Sequence, residues 1–188
     1  MNPRPADYES AALPLSYLGR VAKIKRRKLT TKTVNRLILS QGMLSKKCKY
    51  AIHALVHMAK DPEEQFLIKD ISEACNIPKK FLEAILLDLK RAGMLGSKQG
   101  KGGGYSLRRD PSEINLAEVV RLFDGAIAAV PCATYKFYES CQECVDEEIC
   151  AVRDAFLQIR NATVEMLKAD TLESLVKKEA KLKTRKKR

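Results

Sequence analysis

The sequence predicts a mainly α-helical protein with a small β-wing, built as a winged helix-turn-helix domain followed by a long dimerisation helix. Three observations predict this fold: two short helical apolar patterns separated by a turn, a glycine-rich hairpin directly after them, and a longer helical apolar pattern downstream. With 188 residues the chain can form one domain or two small ones and bury a real core.

The helix-turn-helix is predicted between residues 68 and 93. A short helix over 68–75 is followed by a turn at residues 76–77. Pro78 suits the first residue of the next helix, because that position needs no backbone N–H, and Gly93 can take the left-handed conformation that ends it. The apolar stripe of the second helix comprises Phe81, Leu82, Ile85, Leu86 and Leu89. The opposite face is left for a partner and carries Lys79, Lys80, Glu83 and Lys90.

The hairpin is predicted from two strand-like runs, 94–97 and 105–107, joined by a turn with four glycines. Glycine permits positive φ and a close approach of the backbone to a ligand. Such a wing can lie along a sugar-phosphate backbone, or it can be an ordinary hairpin that closes a small domain. Together with the basic helix it favours DNA binding. The predicted DNA-binding residues are Pro78, Lys79, Lys80, Glu83, Lys98, Gln99, Lys101, Gly102 and Gly103, and Arg108 and Arg109 are expected to neutralise phosphates.

The charge distribution points to the same half of the chain. The overall net charge is +12. Residues 43–109 carry 13 basic and 7 acidic side chains, whereas residues 110–176 carry 5 basic and 13 acidic ones. The basic segment therefore coincides with the predicted helix-turn-helix and wing, as expected for a nucleic-acid-binding surface.

The predicted organisation has five parts. Residues 1–42 form a basic leader with little fixed structure, interpreted as an extension from a translation start placed too far upstream or, alternatively, as an arm that grips DNA. Residues 43–125 form the winged domain and 126–150 a cysteine-rich loop. Residues 151–180 hold the dimerisation helix and a C-terminal helix capped by Thr171, and 181–188 form a basic disordered tail.

The cysteine-rich loop predicts metal or redox chemistry. Four of its residues lie within 19 positions and are the candidate metal ligands, namely Cys132, Cys141, Cys144 and Cys150. Four thiolates can hold zinc or an iron-sulfur cluster, and the uneven spacing favours a cluster over the paired CxxC motifs of a zinc ribbon. No apolar run is long enough for a membrane span and no secretory signal is recognisable, so a cytoplasmic protein without structural disulfides is expected.

The helix after the loop has an apolar seam with helical spacing. Its members are Val152, Ala155, Phe156, Ile159, Ala162, Thr163, Met166 and Leu167. A seam of this width can pair with a second copy of the chain, or it can pack within its own subunit. The first interpretation predicts a homodimer whose two-fold axis would place two winged domains on two half-sites.

Taken together these features resemble the Rrf-type family of bacterial winged-helix repressors that includes IscR, NsrR and CymR. The matching segments are 44–45, 50–55, 70–73, 77–78, 81–83, 89–93, 100–105 and 124–125. The resemblance implies a homodimeric transcription factor that binds double-stranded operator DNA and has no small-molecule substrate. It also implies a 2Fe-2S or 4Fe-4S cluster in the cysteine loop, and a role for Glu83 in selecting the DNA sequence that is read.

Some positions depart from the family pattern. Gln99 stands where the wing often carries an arginine, Arg153 where one branch has a histidine ligand, and Lys49 where another has an aspartate ligand. The loop has one extra cysteine instead, and Cys48 from the other subunit is a further candidate ligand.

The resulting hypothesis is a DNA-binding repressor whose cysteine loop senses iron-sulfur, nitric oxide or redox status. One alternative keeps DNA binding but makes the loop a thiol switch or a structural zinc site. A second alternative is an iron-sulfur carrier or maturation protein that does not bind DNA. The motifs of serine hydrolases, P-loop enzymes and zinc proteases are absent from the sequence, so an enzyme is not expected.

Overall fold

The computed structural model describes residues 44–100, 102–135, 138–141, 144 and 146–186. The predictions for the leader 1–42 and for Lys101 lie outside the described residues. Within these ranges the elements are α1 Lys46–Met58, α2 Ile68–Cys75, α3 Lys79–Arg91, β1 Leu95–Lys98, β2 Gly104–Leu107, α4 Leu116–Phe123, a 3₁₀ turn Pro131–Ala133, α5 Ala151–Ala169 and α6 Leu172–Lys186. The architecture is mainly helical with one two-stranded antiparallel hairpin, as predicted.

Helix α1 begins at a side-chain cap and forms the centre of the core. The Ser45 hydroxyl accepts a hydrogen bond from the Cys48 amide at 3.0 Å, which satisfies one of the free N–H groups of the first turn. The buried face of α1 consists of Cys48, Ala51, Ala54, Leu55 and Met58. Helices α2, α3, α4 and α6 all pack against α1.

The turn between α2 and α3 is fixed by Asn76, which adopts the left-handed conformation with φ 52°. The Ser72 hydroxyl donates a hydrogen bond to the Ile77 carbonyl oxygen at 2.7 Å, and the Ile77 amide donates one to the Ser72 carbonyl oxygen at 3.0 Å. Pro78 is the cap of α3 rather than its first residue, so α3 begins one residue later than predicted. This tight connection sets the angle between the two helices.

The predicted apolar stripe of α3 is correct except at Phe81. Leu82, Ile85, Leu86 and Leu89 are fully buried, whereas 61% of Phe81 is exposed. Successive residues of a helix are about 100° apart, which places residue 81 about 90° from the centre of that stripe. Phe81 therefore lies at the edge of the exposed face.

The hairpin is joined to the rest of the domain by a short bridge. β1 and β2 pair from Leu95 opposite Leu107 to Lys98 opposite Gly104. Tyr105 also pairs with Phe66, the residue just before α2, through two backbone hydrogen bonds of 2.8 Å. The wing is thus fixed to the start of the helix-turn-helix and not only to the end of α3.

Helix α6 returns to the winged domain. The Leu172 side chain is fully buried in the same core cluster as α1, and Asn115 and Thr171 form an isolated bridge. Lys60 and Glu179 form an ion pair of 3.0 Å. The predicted cap is present, since the Thr171 hydroxyl accepts a hydrogen bond from the Ser174 amide at 3.2 Å. The C-terminal helix therefore packs on the winged domain and is not attached to α5 alone.

The predicted disordered tail 181–188 is wrong for residues 181–186, which continue α6 to Lys186. Glu179 and Lys183 form an ion pair of 2.6 Å one helical turn apart. Basic side chains in the last turn interact favourably with the helix dipole, so the basic composition extends the helix. The high charge of residues 181–186 therefore did not indicate disorder. Within the described residues, no helix is both long and apolar enough to cross a membrane.

Candidate nucleic-acid interface

A groove of about 580 Å³ lies between the start of α2, the exposed face of α3 and the hairpin. Five of the predicted DNA-binding residues line it, namely Lys79, Glu83, Lys98, Gln99 and Gly103. Lys69 and Ser97 line the same groove but were not in the predicted set. The sequence indicated only that Lys69 lies on the exposed side of the first turn of α2. The groove therefore brings together three segments that are separate in the sequence.

The start of α3 presents positive charge from two sources. Lys79 and Lys80 are both exposed on the first turn, directly after the cap residue Pro78. The free N–H groups and the dipole of a helix N-terminus also attract anions. Glu83 lies four residues after Lys79, so the two side chains share one face of the helix. This face combines groups suited to phosphate with a carboxylate that can only accept hydrogen bonds when ionised.

The glycines of the hairpin are required by the chain's own backbone. A Cβ atom at Gly103 would lie 2.3 Å from the Lys98 carbonyl oxygen, and one at Gly104 would lie 2.5 Å from the Phe66 carbonyl oxygen. Gly102 has φ +80°, a conformation that other residues rarely adopt. The close approach predicted for these glycines is therefore made to the rest of the hairpin and to Phe66, and Gly103 itself is buried.

Two basic side chains near the groove are already engaged. The Lys90 ammonium donates to the Ser97 hydroxyl at 2.6 Å, which ties α3 to β1. The Arg109 guanidinium donates to the Glu118 carboxylate at 2.9 Å and to the Glu113 carbonyl at 2.8 Å. The hydrogen bond with Glu118 raises the pKa of Arg109. Arg109 therefore holds the hairpin to α4, which corrects the expectation that it neutralises phosphate.

Three of the four predicted metal ligands come together at the start of α5. Cys150 caps this helix, and its Sγ accepts a hydrogen bond from the Arg153 amide at 3.5 Å. The Cys144 and Cys150 sulfurs are 3.6 Å apart. Hydrogen bonds with Cys150 and then with Cys141 raise the pKa of Cys144 to about 12, and the Arg153 amide lowers the pKa of Cys150. Cys150 is therefore the first of the pair to ionise.

The fourth predicted ligand, Cys132, is held near the start of α5 through its backbone carbonyl and not through its thiol. It lies buried in the 3₁₀ turn, and its carbonyl accepts a hydrogen bond from Arg153 Nε at 3.2 Å. In the part of the chain that the structure describes, no group of three or more His, Cys, Asp or Glu side chains is arranged to hold a metal ion. The donor set itself, thiols beside the N–H groups of a helix N-terminus, suits metals that prefer sulfur.

Cys48 does not suit the role of a ligand donated to the other subunit. Its side chain lies on the buried face of α1 and is fully buried, and its burial, followed by the nearby Asp124 carboxylate, raises its pKa to about 12. A thiol that is enclosed in its own domain is not accessible to the loop of a partner.

Helix α5 exposes an apolar stripe. Val152, Ile159 and Met166 repeat every seven residues and are each 58–64% exposed. Val164, which lies on a different face, is 6% exposed and packs within the subunit. The exposed stripe contains three members of the predicted seam.

Comparison with known proteins places this geometry in a family. The model of the Rrf2 family, described as an iron-dependent transcriptional regulator, matches residues 44–178. An rrf2-like helix-turn-helix regulator of Rhodobacter capsulatus is 37% identical over 138 residues, covering 71% of this chain and 92% of that protein. The regulator NsrR of Geobacillus kaustophilus is 32% identical over 137 residues, covering 72% and 90%.

A solved structure agrees with these relatives. The structure of CymR, described as the global cysteine regulator of B. subtilis, superposes with a TM-score of 0.60 at 29% identity, covering 71% of this chain and 95% of that one. These relatives are named as regulators of transcription and not as enzymes, which agrees with the sequence prediction. The chain therefore belongs to the Rrf2 family of DNA-binding transcriptional regulators.

Proposed function

We propose that the chain is a cytoplasmic homodimeric repressor that binds double-stranded operator DNA through α3 and the β1–β2 hairpin. The observation that carries this proposal is the groove in which the exposed face of α3 lies opposite the hairpin. A recognition helix and a wing on one surface can enter a groove of the duplex and contact the adjacent backbone at the same time.

The side chains of the groove divide into two roles. Lys79 and Lys80 contact phosphates or guanine, and the Glu83 carboxylate accepts a hydrogen bond from a cytosine amino group. In the wing, Lys98, Gln99, Lys101 and Gly102 lie along the sugar-phosphate backbone. The lysines supply affinity, and Glu83 supplies most of the sequence selection.

Salt-dependent binding tests the DNA interface. Affinity for a duplex carrying the promoter of the chain's own gene is measured by fluorescence anisotropy over a range of salt concentrations. Each of Lys79→Ala, Lys80→Ala and Lys98→Ala is expected to weaken binding and to reduce the salt slope by about 1. Lys168→Ala, which removes an exposed lysine of α5, is the matched control and is expected to leave both unchanged. Unchanged affinity in all three variants would contradict the interface.

The homodimer is supported by the exposed stripe of α5. Val152, Ile159 and Met166 would be costly to leave in water, and their repeat of seven matches helices that pair in parallel or antiparallel fashion. A charged residue at the centre of the stripe, in Ile159→Glu, is expected to give monomers in light scattering after gel filtration. Leu182→Glu, at a similarly exposed apolar residue of α6, is expected to leave the dimer intact. A dimer that survives Ile159→Glu would rule out this seam.

The iron-sulfur cluster is supported by the donor set at the start of α5. Cys141, Cys144 and Cys150 would hold it together with Cys132, and the Arg153 amide stabilises the thiolate form of Cys150 that binds metal. A bound cluster would make the protein responsive to iron, oxidants or nitric oxide, because these agents change or remove it. Glu147 helps to position the loop, since its carboxylate accepts a hydrogen bond from the Cys141 amide at 3.0 Å.

Anaerobic purification followed by absorption spectroscopy and metal analysis tests the cluster. Visible absorption is expected in the unaltered chain and in Cys75→Ser, whose thiol lies outside the loop, but not in Cys150→Ser. A colourless protein that contains stoichiometric zinc would indicate a structural zinc site instead of a cluster. A colourless, metal-free protein would favour the thiol switch, for which the Cys144–Cys150 distance of 3.6 Å is the supporting observation.

A further inference from the structure

A second cavity, of about 300 Å³, lies away from the DNA-facing residues. This open cavity is lined by the C-terminal end of α4, the segment that follows α4, the end of the 3₁₀ turn and one face of α5. The side chains that matter for its chemistry are Arg121, Thr134, Tyr135, Arg160 and Val164. Its volume is at the lower end of the range for small-molecule sites.

The lining of this cavity is positively charged. Of the described residues that form it, two are arginines and none is acidic. Among the described residues, neither Arg121 nor Arg160 forms an ion pair with a carboxylate. The Arg160 guanidinium is stacked on the Tyr135 ring, with 3.9 Å from the guanidinium carbon to the ring centre, and donates one hydrogen bond to Asn161 at 2.6 Å. Since a guanidinium has five N–H donors, others remain for a ligand, and stacking holds the group in a fixed plane.

Thr134, a further lining residue of the cavity, carries a buried hydroxyl group. The Thr134 Oγ1 atom is buried and has no hydrogen-bond partner in the described part of the chain. A buried hydroxyl without a partner destabilises the folded state, so such groups are rare unless a ligand or water completes them. A hydroxyl can donate to an oxygen of an anion that the two guanidinium groups attract.

We propose that this cavity binds a small organic anion, a short-chain acid with at least one carboxylate or phosphate group. Arg121 and Arg160 hold the acidic group, and the Thr134 hydroxyl donates a further hydrogen bond to it. Ala126, Ala128 and Val164 provide an apolar wall against which a short carbon skeleton packs. The ligand would act as an effector and not as a substrate, in keeping with relatives that are named as regulators of transcription.

The position of the cavity indicates what such a ligand would couple. Arg121 belongs to α4, which packs on α1 of the winged domain, whereas Arg160 belongs to α5. Arg160 is about 100° around α5 from its neighbour Ile159, so the cavity and the exposed stripe use different faces of one helix. A ligand held by both arginines would fix α5 relative to the winged domain. Any effect on operator affinity rests on the proposed function, whereas the binding itself does not.

Ligand binding to the full chain tests the proposal. Thermal unfolding and isothermal titration calorimetry are carried out with succinate, citrate, 3-phosphoglycerate and inorganic phosphate, with sodium chloride added to keep ionic strength constant. A saturable rise in Tm with at least one organic acid is expected. Arg121→Gln and Arg160→Gln are each expected to weaken that binding about tenfold or more, as for the loss of a charge-assisted hydrogen bond. Arg91→Gln, at an exposed arginine of α3, is the control and should bind normally.

Thr134→Val separates a ligand site from a structural role. Replacing a hydroxyl that has no partner among the described residues with a methyl group should leave the Tm of the free protein unchanged or raise it, while weakening the ligand-induced shift. Circular dichroism verifies that each variant is folded. If an arginine variant does not fold, the ligand-induced shift of Thr134→Val is the test of the cavity. The proposal is overturned if none of the organic acids gives a saturable shift, if inorganic phosphate alone does so, or if the variants bind as the control does.

Discussion

Phe66 and Tyr105 exchange two backbone hydrogen bonds, each with an N···O distance of 2.8 Å, and thereby join the wing to the start of α2. Gly104 makes this contact possible, because a Cβ atom there would lie 2.5 Å from the Phe66 carbonyl oxygen. The position of the wing relative to α3 thus depends on a backbone contact between segments that are distant in sequence.

Gly104→Ala is expected to break this contact. The added methyl group must push Phe66 away, which we expect to lower the free energy of unfolding by about 1–3 kcal/mol and to weaken DNA binding through a displaced wing. Gly96→Ala is the matched control, since its Cβ would meet only the Ser106 hydroxyl, at an ordinary 3.7 Å. Urea unfolding and anisotropy with operator DNA measure the two effects. Equal behaviour of the two variants would show that the bridge does not position the wing.

Asn76 provides a test of the turn between α2 and α3. Its φ of 52° lies in the left-handed region, where asparagine and glycine are tolerated and other residues are strained. Asn76→Ala is expected to lower the free energy of unfolding by about 1 kcal/mol, whereas Asn76→Gly should be close to neutral. Thermal or urea unfolding distinguishes them. If both substitutions cost the same, the side chain of Asn76 and not its backbone conformation would be what matters.

Substitutions of Arg109 and Lys98 are predicted to affect different properties, the first stability and the second DNA affinity. Arg109 is bonded to Glu118 and Glu113, so Arg109→Gln should lower the free energy of unfolding by about 0.5–1 kcal/mol and leave operator affinity nearly unchanged. Lys98→Gln should weaken operator binding with no loss of stability, because its side chain is exposed in the groove. Paired measurements of unfolding and DNA affinity decide between these roles. A drop in the operator affinity of a fully folded Arg109→Gln protein would indicate that Arg109 contacts DNA after all.

The cysteines are predicted to differ in reactivity. In reduced, metal-free protein at neutral pH, Cys150 should react with iodoacetamide well before Cys48, because the Arg153 amide lowers the pKa of Cys150 while burial raises that of Cys48 to about 12. Raising the pH should narrow the difference, since more of the other thiols then ionise. Peptide mass spectrometry after timed alkylation gives the order, and labelling in urea, where all six cysteines are accessible, is the control. Rapid labelling of Cys48 in the folded protein would contradict its burial.

Local patterns predicted the helices and their caps well. The Thr171 hydroxyl caps α6 as predicted, and Gly93 follows the end of α3 with φ +76°. These features depend on interactions within one turn of the chain, so the residues that decide them are close together in the sequence.

Partners that are distant in the sequence could not be predicted in the same way. Arg109 appears as one more basic residue beside the wing until α4 brings Glu118 within 2.9 Å of it. Likewise, residues 181–186 have the composition of a solvated tail, but they continue a helix that Leu172 and Glu179 attach to the winged domain. A one-dimensional pattern does not show which charge will be paired.

By itself, the amino-acid sequence determined the order and type of the elements, because apolar spacing, capping residues and glycines act over a few positions. The tertiary structure alone decided which lysines face the groove, which arginine is used as a support, and that Arg121, Arg160 and Thr134 line one cavity. The reason is physical: pairing and burial of charge depend on distances across the fold, and these exist only once the helices have packed.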